Sequence, residues 1–249
     1  MKILSHRILL LGDHCIDYYN YGTVLRISPE APVPIFQYQY QEFKEGMASN
    51  VCKNLQALSC TVDFLKGNKT STKTRLVDLR TKQQLLRIDN DLISDPIDID
   101  KIKSFDYDAI VISDYDKGSI TYELIDNFRS KYNGPIFLDT KKVDLNKFDN
   151  IFVKINELEY KNLKSYNKNL IVTLGKKGAM YKTTTETLFP TNDVEVSDVC
   201  GAGDTFLAAL TYQYLVTKDM GSAINFANKA SSIAIQHFGN YAPTLKEIL

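Results

Sequence analysis

The strongest candidate for chemistry in this sequence is a short acidic and glycine-rich segment near its C-terminal end. Residues 198–204 read Asp-Val-Cys-Gly-Ala-Gly-Asp, and apolar residues at helical spacing follow, which predicts that a helix begins inside the segment. The free N–H groups and the dipole at a helix start favour an anion. Asp204 could then accept a hydroxyl proton while the amides of Gly201, Ala202 and Gly203 hold a phosphoryl group. An ordinary first-turn acid after a glycine turn explains a bare Gly-Ala-Gly-Asp about equally well.

Other polar residues with possible chemistry follow predicted strands. Asp13 and Asp17 come after an apolar run at residues 8–12, where carboxylates can bind ligand hydroxyls but a turn or cap is the ordinary explanation. Asn156 and Glu159 have the spacing of a capping box, and Glu159 could instead order water around Mg²⁺. Residues 173–178 alone predict no more than a strand that ends in a tight turn.

Taken together, these segments resemble the ribokinase-like (PfkB) family of carbohydrate kinases. Asp-x-x-Gly-Ala-Gly-Asp at 198–204 is similar to the family signature. Four further segments match in the family's order: residues 12–17, residues 45–50 (Gly-Gly-x-x-x-Asn in the family), residues 156–159 (Asn-x-x-Glu) and residues 173–178 (Thr-x-Gly-x-x-Gly). The resemblance implies an ATP-dependent kinase in which Asp204 is the catalytic base and the Gly-Ala-Gly amides form an anion hole.

The resemblance also implies a set of binding residues. The sugar is expected to be bound by Asp13, Asp17, Gly46, Asn50 and Lys117. ATP is expected to be bound by Asn156, Glu159, Thr173, Gly175, Gly178, Lys141 and Asn228, with Glu159 holding Mg²⁺ through water. Lys117 and Lys141 rank first among the basic residues for a phosphate contact because they follow predicted strands. A monovalent cation is a further candidate cofactor.

One subfamily, the heptose-7-phosphate kinases, matches best. Residues 26–34 read Arg-Ile-Ser-Pro-Glu-Ala-Pro-Val-Pro, a long and unusual match. Residues 73–75, 83–89, 113–118 and 139–141 match the same subfamily. The resemblance implies transfer of phosphate to O1 of D-glycero-D-manno-heptose 7-phosphate, giving the 1,7-bisphosphate on the way to ADP-heptose, by a homodimer joined through a lid. A kinase for another sugar or sugar phosphate, and a non-catalytic sugar- or nucleotide-binding relative, stay open as alternatives.

The sequence departs from the family pattern at four places. Met47 replaces the second glycine of the pair at the sugar, so a side chain is expected where the backbone should approach the substrate. The segment between Ser59 and Thr74 is short, as though a helix and a neighbouring strand had been removed. Cys200 replaces a common threonine, and we expect it to pack. No room is expected after Leu249 for the adenylyltransferase half of the bifunctional relatives.

The predicted strands and helices that must position these residues indicate an α/β fold. Short apolar runs alternate with helical segments, which indicates a doubly wound, mostly parallel sheet flanked by helices. Strands are predicted at 8–12, 109–113, 136–139, 151–155 and 170–174, and helices at 48–58, 121–132, 202–217 and 222–237. Strands at 35–40, 74–79 and 84–89 predict a small β-sheet lid built from residues near 20–42 and 73–90. Residues 1–249 are expected to form one ribokinase-like domain.

The amino-acid composition argues against several other classes of protein. The 249 residues carry 30 Lys+Arg and 30 Asp+Glu, so no net charge attracts nucleic acid or an anionic membrane. Hydrophobic residues make up 44% and charged residues 24%, which is typical of a folded chain. The four cysteines lack the spacing of a zinc site or a disulfide framework, and no run approaches a membrane span. We therefore expect a cytoplasmic protein.

Overall fold

The strands and helices follow the predicted alternation through most of the chain. The computed structural model describes residues 5–249. The strands are β1 (Arg7–Gly12), β2 (His14–Ile27), β3 (Pro34–Met47), β4 (Thr61–Lys66), β5 (Ser71–Asp78), β6 (Gln84–Asn90), β7 (Ala109–Asp114), β8 (Ile136–Thr140), β9 (Phe152–Asn156), β10 (Leu170–Thr173), β11 (Ala179–Lys182) and β12 (Glu186–Phe189). The α-helices are α1 (Ala48–Ala57), α2 (Tyr122–Lys131), α3 (Glu157–Lys161), α4 (Ala202–Thr217), α5 (Met220–Ala234) and α6 (Leu245–Ile248).

The larger sheet has eight strands in the order β12-β11-β10-β9-β8-β7-β1-β4. The six strands from β10 to β4 are parallel, whereas β11 and β12 are antiparallel. Helices cover both faces: Ile8 and Leu10 of β1 face a core shared with α1, α4 and α5, and Leu9 and Leu11 face a core shared with α2. Burial on both faces explains why these strands are continuous apolar runs rather than alternating ones. The predicted doubly wound fold is confirmed.

A second sheet, the lid sheet, has the order β3-β2-β5-β6. Strands β2 and β3 form a long antiparallel hairpin, β5 lies parallel to β2, and β6 lies antiparallel to β5. The two hairpin strands have 14 residues each, so the lid sheet begins at His14 and its hairpin ends at Met47, beyond the predicted bounds of 20 and 42. As a result, Asp17 lies inside a lid strand rather than in a turn after β1.

Three local features differ from the predicted elements. The short segment between Ser59 and Thr74 contains a strand that was not predicted, β4, which pairs with β1 at the sheet edge. Its half-buried Val62 and Phe64 pack against the core. Helix α5 begins at Met220 because the Asp219 side chain caps the N–H of Ser222, and it ends at Ala234 rather than 237. The hairpin of β11 and β12 was not predicted, because strands of four residues carry too little periodicity. Within residues 5–249, no helix is long and apolar enough to cross a membrane.

Candidate active site

The predicted base, Asp204, lies in the first turn of α4 and is only 4% exposed. The Nδ2 of Asn50 donates to its Oδ2, and the hydroxyl of Tyr115 donates to its Oδ1, both at 2.9 Å. Burial raises the pKa of Asp204 to about 6, nearby Asp139 adds to that rise, and the two hydrogen bonds oppose it. A carboxylate with this pKa is ionised near neutrality yet basic enough to accept a proton from a hydroxyl. Sequence reasoning missed Tyr115, although it lies within the subfamily match at 113–118.

The start of α4 forms a cradle of backbone amides. Gly201 has φ +76°, a left-handed conformation, and a Cβ there would lie 2.6 Å from the Asn50 Nδ2, so the turn requires glycine. No side chain in the described part of the chain caps the start of α4. Within residues 5–249, the N–H groups of Gly201 and Gly203 donate no hydrogen bond. The N–H of Ala202 donates to the Val199 carbonyl at 3.3 Å. Gly201 and Gly203 therefore offer the free donors, and Ala202 is partly engaged.

A buried ion pair lies beneath this cradle. Lys154 of β9 and Asp139 of β8 are neighbours in register, and the Nζ of Lys154 lies 2.7 Å from the Asp139 Oδ2. A Cβ placed on Gly203 would lie 2.9 Å from the same Nζ, so the ammonium touches the cradle. Burial opposes the charge of Lys154, but Asp139 outweighs it and the pKa of Lys154 is raised. Sequence reasoning missed this pair; its only signal is a lysine within an otherwise apolar strand.

The predicted sugar residues Asp17 and Gly46 lie together on neighbouring strands β2 and β3. Asp17 is 3% exposed, and Arg75 of β5 donates to its Oδ1 from Nη1 at 2.5 Å. A Cβ on Gly46 would overlap the Asp17 carboxylate and lie 2.7 Å from the Cys15 Sγ, so the carboxylate fits only beside glycine. Arg75 also reaches the Cys200 Sγ at 3.6 Å, which links Asp17 to the loop before α4. Cys200 is half-buried, and burial raises the pKa of its thiol, as expected of a packing residue.

Asp13 and Lys117, also predicted to bind the sugar, make protein contacts in this structure. The Asp13 carboxylate accepts from the N–H groups of Tyr115 and Lys117 at 2.8 and 3.1 Å and from the Ser119 hydroxyl at 2.5 Å. These bonds fix the loop that carries Tyr115. The Nζ of Lys117 lies 2.6 Å from Asp91. Direct contact of Asp13 and Lys117 with a sugar stays a prediction.

Met47, the departure from the family's glycine, keeps a glycine-like backbone. Its φ of 55° and ψ of −135° lie in a region that L-residues rarely adopt, and the residue is buried at the junction of β3 and α1. The methionine therefore adds a strained backbone residue next to Gly46.

A cavity of about 390 Å³ lies next to the cradle. Four of the predicted nucleotide residues line it: Thr173, Gly175, Gly178 and Asn228. Ala202 and Gly203 line it as well, so the cavity and the cradle meet. Its apolar wall, which suits a planar base, comes from Val194, Val196, Val199, Phe206 and Ile235, residues that sequence reasoning missed. The Nδ2 of Asn228 donates to the Phe189 carbonyl at 2.9 Å, so the amide is already partly engaged.

Asn156, Glu159 and Lys141 lie outside the lining of that cavity. Asn156 and Glu159 form a complete capping box at the start of α3, and the ammonium of Lys141 pairs with Glu159. No group of three or more His, Cys, Asp or Glu in residues 5–249 is arranged to hold a metal. Mg²⁺ bound mainly by phosphate oxygens and water needs few protein ligands. The carboxylate of Glu159 suits such a role.

Comparison with known proteins decides the family. The model of the pfkB family carbohydrate kinases matches residues 153–247, which contain the cradle and Asp204. The chain is 31% identical to the Bifunctional protein HldE of a Nitratiruptor species over 300 residues, covering 98% of this chain and 64% of that protein. Bifunctional protein HldE of Helicobacter pylori (strain J99) is also 31% identical, over 97% of this chain and 65% of its own length. The chain belongs to the pfkB family of carbohydrate kinases. It spans slightly less than two thirds of the length of these curated relatives.

Solved structures of pfkB-type kinases share the fold. Ribokinase from Arabidopsis thaliana, complexed with ribose and ATP, has a TM-score of 0.77 at 16% identity, covering 98% of both chains. Phosphofructokinase-2 from Escherichia coli, in complex with potassium, has a TM-score of 0.75 at 15% identity, covering 98% of this chain and 97% of its own. The predicted ribokinase-like fold and carbohydrate kinase family are both confirmed.

Proposed function

We propose that this pfkB kinase, as one domain over residues 1–249, transfers the γ-phosphoryl group of ATP to O1 of D-glycero-D-manno-heptose 7-phosphate. The observation that carries the transfer chemistry is the buried Asp204 carboxylate beside the free amides of Gly201 and Gly203, next to the 390 Å³ cavity that Ala202 and Gly203 line. The choice of sugar is supported by the heptose-kinase segment at 26–34 and by the 31% identity to two HldE proteins.

The residues of this chain have distinct roles in the proposed transfer. Asp204 accepts the proton of O1 as the oxygen forms its bond to the γ-phosphorus and the bond to the ADP oxygen breaks. The N–H groups of Gly201 and Gly203 hold the charge on the phosphoryl oxygens. Asp17, with Gly46 making room for it, and Asn50 orient the sugar. Mg²⁺, held through water by Glu159, supplies further neutralisation of phosphate charge when bound.

The 7-phosphate has a candidate site between the lid sheet and the loop after β7. Lys73 is the register neighbour of Asp17 on β5, and its Nζ lies 3.2 Å from Asp89 and 3.7 Å from Asp91. The Nζ of Lys117 shares Asp91 with it. Lys73 and Lys117 could therefore exchange carboxylate partners for a phosphate that lies beyond Asp17 along the sugar chain.

The test is ADP release with heptose 7-phosphate, fructose 6-phosphate and ribose. We expect the highest kcat/KM for heptose 7-phosphate, and we expect Lys117→Met to raise the KM for the phosphorylated sugars while the KM for ribose stays unchanged. Preference for fructose 6-phosphate or ribose would show that the sugar assignment is wrong, and Met47 would then be the first position to examine. ATP binding without ADP release from any sugar would favour a non-catalytic relative.

The lid sheet supports the proposed homodimer. Apolar side chains stand exposed on its strands, among them Tyr38, Phe43, Leu86 and Ile88. Exposed apolar surface of this kind is typical of association sites. Sedimentation equilibrium should give twice the mass of the chain. Phe43→Glu should shift the measured mass towards that of a single chain. A monomeric wild-type chain would contradict the proposal.

A further inference from the structure

Lys154 lies in a place where the fold would ordinarily require an apolar residue. Side chains alternate along β9: Val153 and Ile155 face the core on the α2 side, and Phe152 packs on the opposite side, beneath α4. Lys154 follows Phe152 on that side and is 4% exposed. Burying an ammonium there is costly unless its charge and its N–H groups are satisfied.

The protein provides hydrogen-bond acceptors for only some of the N–H donors of the Lys154 ammonium. An ammonium has three N–H donors. Within residues 5–249, the Asp139 Oδ2 is the only acceptor within hydrogen-bond distance of the Nζ. A Cβ placed on Gly203 would lie 2.9 Å from this ammonium, and the N–H of Gly203 is also free. Free donors of both groups therefore converge on one small region, with the positive end of the α4 dipole added to them.

This arrangement suits an anion with several oxygen atoms that can accept hydrogen bonds. We propose that Lys154 is a catalytic residue of this kinase, whose ammonium donates to the oxygens of the phosphoryl group in transit from ATP to the sugar. Asp139 positions it: the carboxylate holds one N–H and leaves the others for the phosphoryl oxygens. The inference rests on the proposed phosphoryl transfer at Asp204, and it holds for any sugar.

The opposite face of the sheet offers a matched control. Lys142 is also a buried lysine, and its Nζ lies 3.0 Å from Asp114. Asp114 extends from β7 on the α2 side, away from α4, and the Lys142 ammonium is further occupied by Asp116 at 3.2 Å. Lys142→Met therefore removes a comparable buried charge without touching the cradle.

The decisive variant is Lys154→Met combined with Asp139→Asn, which removes both charges and leaves no buried ion unpaired. We expect it to fold, with kcat lowered at least ~10²-fold, as for loss of one oxyanion donor, and with the KM for the sugar nearly unchanged. Lys154→Arg, which keeps the ion pair, should recover part of kcat, and Lys142→Met should keep wild-type kcat. A folded double variant with near wild-type kcat would overturn the proposal, as would Lys154→Arg turning over no faster than the double variant.

A binding measurement separates this inference from the identity of the reaction. Calorimetry with the β,γ-imido analogue of ATP and with AMP compares ligands that have and lack the transferring phosphate. In the double variant we expect the preference for the analogue to fall about tenfold or more while AMP affinity stays unchanged. An unchanged preference would refute the role of Lys154, even for a protein that phosphorylates none of the sugars offered. If the preference falls but the wild type still transfers no phosphate, the proposed function fails and the Lys154 site stands.

Discussion

Replacing Asp204 by Asn should sharply lower turnover and at the same time stabilise the protein. The pKa of Asp204 is raised from 3.8 to about 6, chiefly by burial. At about 1.4 kcal/mol per pH unit, that shift means that ionising the carboxylate costs the folded state about 3 kcal/mol. Asparagine retains both neighbours, because its carbonyl can accept from the Asn50 amide and its amide can donate to the Tyr115 hydroxyl. It cannot accept a proton, so we expect kcat to fall by at least ~10².

The sign of the pH dependence follows from the raised pKa. The stability that protonated Asp204 contributes to the wild type is fully present below the unfolded-state pKa, near 3.8, and is lost as the pH rises through about 6. The Asp204→Asn variant does not titrate at this position. Its gain in unfolding free energy should therefore be near zero at low pH, grow between these two values, and level off at about 3 kcal/mol.

Urea unfolding followed by circular dichroism over this pH range measures that gain directly, and ADP release measures kcat. Asp126→Asn, a change on the outer face of α2, serves as the control and should give no such pH-dependent gain. A gain that is the same at every pH, or a loss of stability at neutral pH, would show that Asp204 is not a buried carboxylate held at a cost. Near-normal turnover would remove Asp204 as the base.

Two further substitutions test the neighbours of Asp204 and Asp17. Tyr115→Phe removes a hydrogen bond that lowers the Asp204 pKa, so the acidic limb of kcat/KM should move to higher pH by about one unit. Tyr132→Phe, whose hydroxyl donates to the Tyr107 carbonyl away from the site, should leave that limb in place; equal effects of the two variants would contradict the assignment. Gly46→Ala should push the Asp17 carboxylate aside and raise the KM for the sugar about tenfold with little change for ATP. An unchanged sugar KM would place Asp17 outside the sugar site.

Local sequence patterns predicted those parts of the fold and site that depend on neighbouring residues. Helix α4 has the predicted bounds because a glycine turn is followed by a long apolar helical run. The contacts around Asp204 join residues that are far apart in sequence, with Asn50 separated from it by 154 positions and Tyr115 by 89. Such contacts depend on the order of strands in the sheet, which periodicity does not encode. The family resemblance supplied Asn50, whereas Tyr115 was given no role within its matched segment and Lys154 had only the signal of a lysine in an apolar strand.

The unfavourable features of the fold concentrate around the cradle, and this argues for catalysis over simple binding. Among residues 5–249, the buried Asp204 carboxylate has no direct ion-pair partner, the buried Lys154 has unused donors, and Met47 holds a positive φ at the start of the helix that carries Asn50. Each of these costs stability in the ligand-free protein. A site that only retained a sugar could use neutral hydrogen-bonding groups at lower cost. A proton acceptor and a cation held ready beside free amides are useful chiefly when a proton and a phosphoryl group move past them.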